Sequence, residues 1–201
     1  MLSKLPEHLP QLIDPMAGLP DEGNTEMITY ALQILKQSFK NTSNIEEICM
    51  AAQDKCSVLA ALLSKVIQFE NQSKIVSESL YVTGNFVKQL IGLEEVIEDD
   101  YKQDVLGLYA ILLKILKNDN VSQEVKQSCI VAMAKLVGVS YSHLSTDQFN
   151  EVFKTFGDST NSELTRDQAL RAMNILASND KIQINLNLYA NLLEKLLSLM
   201  N

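Results

Sequence analysis

The sequence predicts an all-α protein, and three observations carry this prediction. All four prolines lie within the first 20 residues, so the rest of the chain contains none. Glycine is also scarce, at 7 of 201 residues, whereas β-sandwiches and barrels need frequent Gly and Pro turns. Apolar residues recur with helical periodicity, for example at Val105, Leu108, Leu112 and Leu116. The apolar fraction of 46% with ordinary charge density excludes a disordered chain.

The periodic segments form four helical pairs and one closing helix. The predicted pairs are 7–18 with 24–40, 44–69 with 72–91, 101–117 with 121–137, and 146–156 with 161–178, and the closing helix is 184–200. The corresponding units are about 1–41, 42–93, 94–139 and 140–180, followed by the lone helix within 181–201. Pro15 either bends the first helix or belongs to a loose lead-in, and both interpretations stay open.

Local signals mark the helix ends. The patterns that begin at Ser43, Ser145 and Thr160, each with Glu or Gln three residues later, predict capping boxes. Helix ends are predicted at three glycines, each of which follows an apolar stretch: Gly92, Gly138 and Gly157.

The second helix of each pair carries a small or thiol residue within an apolar stripe. These anchor residues are Ala31, Ser79, Cys129 and Ala169, separated by 48, 50 and 40 residues. Such separations are typical of HEAT or armadillo units, in which a small residue lets neighbouring helices approach closely. The sequence therefore predicts an α-solenoid (α-α superhelix) of about four and a half HEAT/armadillo-like hairpins. The alternative is an irregular helical bundle.

Composition limits the class of partner and the compartment. The net charge is −8 with only two arginines, which disfavours nucleic-acid binding. Cys49, Cys56 and Cys129 form no CxxC motif and are interpreted as buried core thiols in a reducing compartment. The sequence shows neither a signal peptide nor an apolar run of about 20 residues. We therefore expect a cytoplasmic or nuclear location and no membrane association.

No catalytic, cofactor or metal motif occurs in the sequence. The only histidines are His8 and His143, and His143 lies in a polar linker beside two serines that cannot easily adopt triad geometry. The segment from Asp158 lacks the glycine of a calcium loop. We therefore predict no enzyme and no cofactor.

One charge cluster lies in the linker between the second and third pairs, at Glu94, Glu95, Glu98, Asp99 and Asp100. It is either a solvated loop whose last aspartate caps the next helix, or a docking point for a basic partner surface. These five residues are the candidate protein-binding residues of the sequence.

Three helical stretches carry a family resemblance: Lys74–Leu90, Asn120–Val137 and Ser162–Ala177. In this order and spacing they resemble the middle of the cullin-associated and neddylation-dissociated proteins, which are HEAT-repeat regulators of cullin–RING ubiquitin ligases. The similarity covers about residues 74–180. It implies a non-catalytic scaffold that wraps an unmodified cullin–RING complex, hinders attachment of the ubiquitin-like modifier and promotes exchange of substrate receptors. It also implies that the chain is an internal piece of a longer solenoid.

Two other functions remain open. The chain could be part of another HEAT-repeat scaffold, such as a nuclear transport receptor or a phosphatase scaffold, or an all-helical enzyme. The closing helix places Leu188, Leu192, Leu196 and Leu199 on one face with no following helix, which predicts self-association through that end.

Overall fold

The computed structural model describes residues 13, 15, 16, 18, 24–40, 56–69, 72–91 and 102–182. These ranges contain seven α-helices and no strand, which confirms the all-α prediction. The helices are α1 (Thr25–Lys40), α2 (Cys56–Val66), α3 (Ser73–Phe86), α4 (Lys102–Lys117), α5 (Gln123–Ser140), α6 (Thr146–Ser159) and α7 (Glu163–Ala177). A π-helical turn, Val87–Ile91, continues α3.

The helices form two parallel rows. Helices α1, α3, α5 and α7 pack on one another in chain order and make the second-helix row. Helices α2, α4 and α6 stack in the same order and make the first-helix row, and each packs against the helix that follows it. This arrangement is an α-solenoid. The four anchor residues are all buried within the second-helix row, as the repeat interpretation predicts.

A continuous core joins the two rows. The periodic α4 residues Val105, Leu108, Leu112 and Leu116 are all buried. The first predicted helix is seen only at Ile13, Pro15 and Met16, which are helical, and both apolar residues among them are buried. This favours the interpretation of Pro15 as part of a packed helix. The closing helix and the unit ends that fall at 41–55, 92–101 and 183–201 lie outside the described residues, so those predictions remain untested.

The capping predictions have mixed outcomes. The box at Ser145 is confirmed, because its hydroxyl accepts a hydrogen bond from the Gln148 backbone N–H at 3.2 Å while Gln148 Oε1 accepts one from the Ser145 N–H at 2.8 Å. The box at Thr160 is wrong. The Thr160 hydroxyl instead donates to the Gly157 carbonyl at 2.7 Å and satisfies the end of α6, and α7 begins after Ser162. The box at Ser43 lies outside the described residues.

The glycine signals were also misleading as helix ends. Gly138 and Gly157 lie inside α5 and α6, and Gly92 lies outside the described residues. A β-carbon at Gly138 would lie 3.9 Å from Ile175 Cγ2 of α7, an ordinary van der Waals contact, so the packing does not require glycine there. Helix α2 ends earlier than predicted, at Val66. The Ile67 N–H still bonds four residues back, whereas the N–H groups of Gln68 and Phe69 bond three residues back.

Gly84 and Gly107 provide a matched test of the stacking. A β-carbon at Gly84 in α3 would lie 3.2 Å from Ala132 Cα of α5, whereas one at Gly107 in α4 would meet nothing within 4 Å. Gly107→Ala is therefore expected to raise the free energy of unfolding by about 0.5–1 kcal/mol through helix propensity. Gly84→Ala is expected to lose that gain and to destabilise the protein by about 1 kcal/mol, because two backbones must separate. Urea unfolding of both variants checks this, and equal stabilisation of the two would contradict the close α3–α5 approach.

Tyr109 is expected to limit the stability of the folded protein at alkaline pH. Its hydroxyl donates to the Gln148 carbonyl at 3.0 Å and so joins α4 to α6. Burial, with a further contribution from Glu151, raises the pKa of Tyr109 to about 12. The folded state therefore holds this proton more tightly than the unfolded chain, so the stabilisation is complete below about pH 10 and is lost as the pH rises through about 12.

Replacement of this tyrosine tests the assignment. Tyr109→Phe is expected to flatten the fall in unfolding free energy between about pH 9 and about pH 12, with Tyr30→Phe on the exposed face of α1 as the control. The assignment is wrong if the two variants show the same alkaline slope.

Candidate protein-interaction surface

Among the described residues, large exposed apolar side chains occur on one row of the solenoid. Six large apolar residues of the described chain are exposed: Met27, Tyr30, Tyr81, Leu164, Leu170 and Ile175. All six lie on α1, α3 or α7, which belong to the second-helix row. Isolated exposed apolar residues are common on soluble proteins, but their confinement to one row indicates an association surface.

The first-helix row has a different character. The exposed positions of α2, α4 and α6 are small, polar or charged: Ser57, Ala61, Lys65, Gln103, Gly107, Ala110, Lys114, Lys117, Thr146, Asp147, Lys154 and Asp158. The two rows therefore present chemically different faces to solvent.

Tyr81 lies near the middle of the second-helix row between two lysines. Its ring centroid is 5.2 Å from Lys36 Nζ of α1 and 5.7 Å from Lys135 Nζ of α5. These cation–π contacts join three consecutive helices of the row. Lys36 also pairs with Glu78, with 3.6 Å between Nζ and Oε1.

Lys135 carries a poorly compensated charge. Its ammonium group donates to Asn85 Oδ1 at 2.7 Å, and within the described ranges no ion pair is formed by Lys135 or Lys88. Burial, together with repulsion from Lys88, lowers the pKa of Lys135. This part of the second-helix row is therefore locally basic, although the chain as a whole is acidic.

A small groove of about 300 Å³ opens beside Tyr81, between α3, α5 and α7. Leu80, Val131 and Ala132 are among the apolar residues that line it, with Lys135 and Gln168 as polar members. The absence of a side chain at Gly84 brings α3 close to α5 and forms part of the groove.

A larger groove of about 760 Å³ lies between the third and fourth pairs and is lined in part by the turn within each pair. Four of its charged residues form ion pairs, Lys117 with Glu151 and Lys126 with Asp119. No group of three metal-ligating side chains occurs in the described part of the chain. His143, the described histidine, lies in a 3₁₀ turn after α5, and His8 lies outside the described residues.

The cysteines that are described match the core interpretation. Cys56 and Cys129 are both buried. The Cys129 thiol donates to the Leu112 carbonyl at 3.3 Å, and burial raises its pKa. Cys49 lies outside the described residues.

The acidic candidate residues Glu94, Glu95, Glu98, Asp99 and Asp100 also lie outside the described residues. Their docking role stays a prediction, as does self-association through 184–200. No described helix is both long enough and apolar enough to cross a membrane.

Comparison with protein families supports the repeat interpretation. The family model for CAND1-like, TPR repeats matches residues 48–133. This stretch, the CAND1-like segment, is similar to the repeats of that family. The match supports a helical-repeat scaffold. No curated protein matches the chain.

The CAND1-like segment runs from before α2 into α5 and includes Tyr81, Asn85 and Lys88. It begins earlier than the predicted similarity over 74–180 and ends within it. The term TPR denotes units of about 34 residues, whereas the anchor separations of 48, 50 and 40 residues fit the longer HEAT or armadillo period of about 40–47.

The exposed apolar residues of the second-helix row were not predicted from the sequence, although the sequence contains a signal for one of them. The residues two positions after the anchors are Gln33, Tyr81, Val131 and Arg171. Three of these are exposed and Val131 is half-buried. An aromatic residue at an outward position of a core-forming helix is the signal that could have identified Tyr81.

Proposed function

We propose that this chain is a non-catalytic scaffold whose second-helix row binds a cullin–RING complex. The observation that carries the proposal is the confinement of the exposed apolar side chains to that row. Association surfaces depend on a few buried aromatic and aliphatic anchors, and Tyr30, Tyr81 and Leu164 are residues of that kind.

The packing of the rows supports the choice of face. Neighbouring helices pack more extensively along the second-helix row than along the first. A solenoid is expected to curve towards its more closely packed row, which would place the second helices on the concave side. Concave solenoid surfaces are the ones that wrap extended partners.

The CAND1-like segment supports the choice of partner. Its resemblance to the cullin-associated and neddylation-dissociated proteins implies an unmodified cullin bound to its RING subunit. The chain would then hinder modifier attachment and promote exchange of substrate receptors, in the cytoplasm, the nucleus or both.

Capture of cullin–RING complexes tests this function. The 201-residue chain is immobilised and exposed to the purified complex before and after attachment of the ubiquitin-like modifier. We expect the unmodified complex to bind at least tenfold more tightly, about 1.4 kcal/mol, because the modifier and the scaffold compete for the same region. A chain that retains neither form, or both forms equally, would contradict the proposal.

A further inference from the structure

The cluster formed by Lys36, Tyr81, Lys88 and Lys135 has an electrostatic property that the scaffold function does not explain. The four side chains come from α1, from α3 and its π-helical extension, and from α5. One carboxylate among the described residues, Glu78, reaches the cluster, and it pairs with Lys36. The cluster therefore keeps an excess of two positive charges in a chain of net charge −8.

The cluster adjoins an apolar groove. Tyr81 and Lys135 form part of the lining of the groove of about 300 Å³, together with Leu80, Val131 and Ala132. That volume is at the lower end of the range for ligand pockets and accommodates one large side chain. Cations beside a single apolar depression suit a peptide that has one apolar residue flanked by carboxylates.

We propose that the Lys36–Tyr81–Lys88–Lys135 cluster binds an acidic segment of the protein partner, with one apolar side chain of that segment seated in the adjoining groove. The proposal rests on the proposed function in one respect, that the second-helix row faces the partner. Carboxylates would neutralise Lys88 of the π-helical turn and Lys135 of α5, whose charges repel each other. Charge complementarity of this kind selects the partner and speeds its association.

Short peptides test the proposal directly. The probes are acetylated Glu-Glu-Leu-Glu-Glu, Gln-Gln-Leu-Gln-Gln and Lys-Lys-Leu-Lys-Lys, titrated into the ¹⁵N-labelled 201-residue chain and followed by NMR. We expect the acidic peptide to bind about tenfold more tightly than the neutral one and the basic peptide not to bind. The shifted signals are expected at the side-chain amides of Asn85, Gln127 and Gln168.

Variants separate charge from folding. Lys135→Met keeps the aliphatic stem that packs near Gly84 and removes a desolvated charge, so the variant is expected to fold. It is expected to weaken the acidic peptide about fivefold and to leave the neutral peptide unchanged. Lys114→Met, on the exposed face of α4 in the first-helix row, is the matched control and is expected to change neither affinity.

Other occupants give distinct results. Equal binding of the acidic and neutral peptides, shifts confined to other helices, or tighter binding of oligothymidylate would each overturn the proposal. If the chain's own residues 94–100 filled the site, neutralising Glu94, Glu95, Glu98, Asp99 and Asp100 would strengthen acidic-peptide binding, and that result would overturn it as well.

The cullin–RING capture experiment distinguishes failure of the acidic-segment proposal from failure of the proposed scaffold function. If Lys135→Met captures the complex as well as the unaltered chain does, and the acidic peptide shows no preference, the acidic-segment proposal fails and the scaffold function stands. If the peptide binds as expected but no cullin–RING complex is captured, the site stands and the choice of cullin fails.

Discussion

Phe86→Ala is expected to lower the free energy of unfolding by about 3–5 kcal/mol, the cost of emptying a large aromatic site in a packed core. Phe86 is fully buried at the end of α3, and its ring centroid lies 6.4 Å from that of Phe39 in α1. Phe86 therefore fills the interface between α1 and α3, the first two helices of the second-helix row. Urea unfolding followed by circular dichroism measures the loss.

Tyr81→Ala is the control for this substitution, since it removes an aromatic ring of similar size from an exposed position of the same helix. We expect its cost to be about 1 kcal/mol or less. If Phe86→Ala cost no more than Tyr81→Ala, the packing of α3 on α1 would be wrong.

The largest effect on binding is expected from the exposed apolar residues of the second-helix row. Simultaneous Tyr30→Ser, Tyr81→Ser and Leu164→Ser substitution is expected to weaken capture of the unmodified cullin–RING complex by a factor of about 100 or more. The three side chains are 56%, 39% and 60% exposed, so their removal leaves the core intact.

A matched triple variant on the other row is the control. Lys65→Ser, Lys114→Ser and Lys154→Ser change one exposed residue on each of α2, α4 and α6. We expect capture to change by less than about twofold, since exposed charges contribute little once they lie outside an interface. Equal losses of capture from the two triple variants would contradict specific binding through the second-helix row.

Much of the fold follows from local and periodic information in the sequence. The apolar stripe of α4 repeats every three or four residues, so its buried face is determined by helix geometry alone. The anchors Ala31, Ser79, Cys129 and Ala169 identified the second helices, because a small residue between large ones has a purpose only where helices approach closely.

The wrong predictions of the capping box and of the helix ends share a physical cause. In each case tertiary contacts override the short-range sequence signal. Thr160 has the residue type of a helix N-cap, but its hydroxyl is closer to the end of the preceding helix and caps Gly157 instead. Gly138 resembles a helix stop, yet α5 continues to Ser140, and Ile175 of α7 packs nearest to this glycine. Whether such a residue begins or ends a helix or contacts another element therefore depends on the neighbouring helix.

The interaction surface was harder to predict than the core. Burial follows from periodicity, whereas the cluster at Tyr81 needs the register between three helices: Lys36 and Lys135 lie 45 and 54 residues from Tyr81 in the chain. The conspicuous sequence feature, the acidic run at 94–100, carries charge opposite to that of this cluster.

Site-specific photo-crosslinking tests the central claim, that the second-helix row is the partner-facing surface, most directly. A benzophenone amino acid is placed at Tyr81 in α3 and, in a separate variant, at Ala110 on the exposed face of α4. Both variants are irradiated with the unmodified cullin–RING complex. We predict a crosslink to the complex from position 81 and none from position 110. A crosslink from position 110 with none from position 81 would contradict the account.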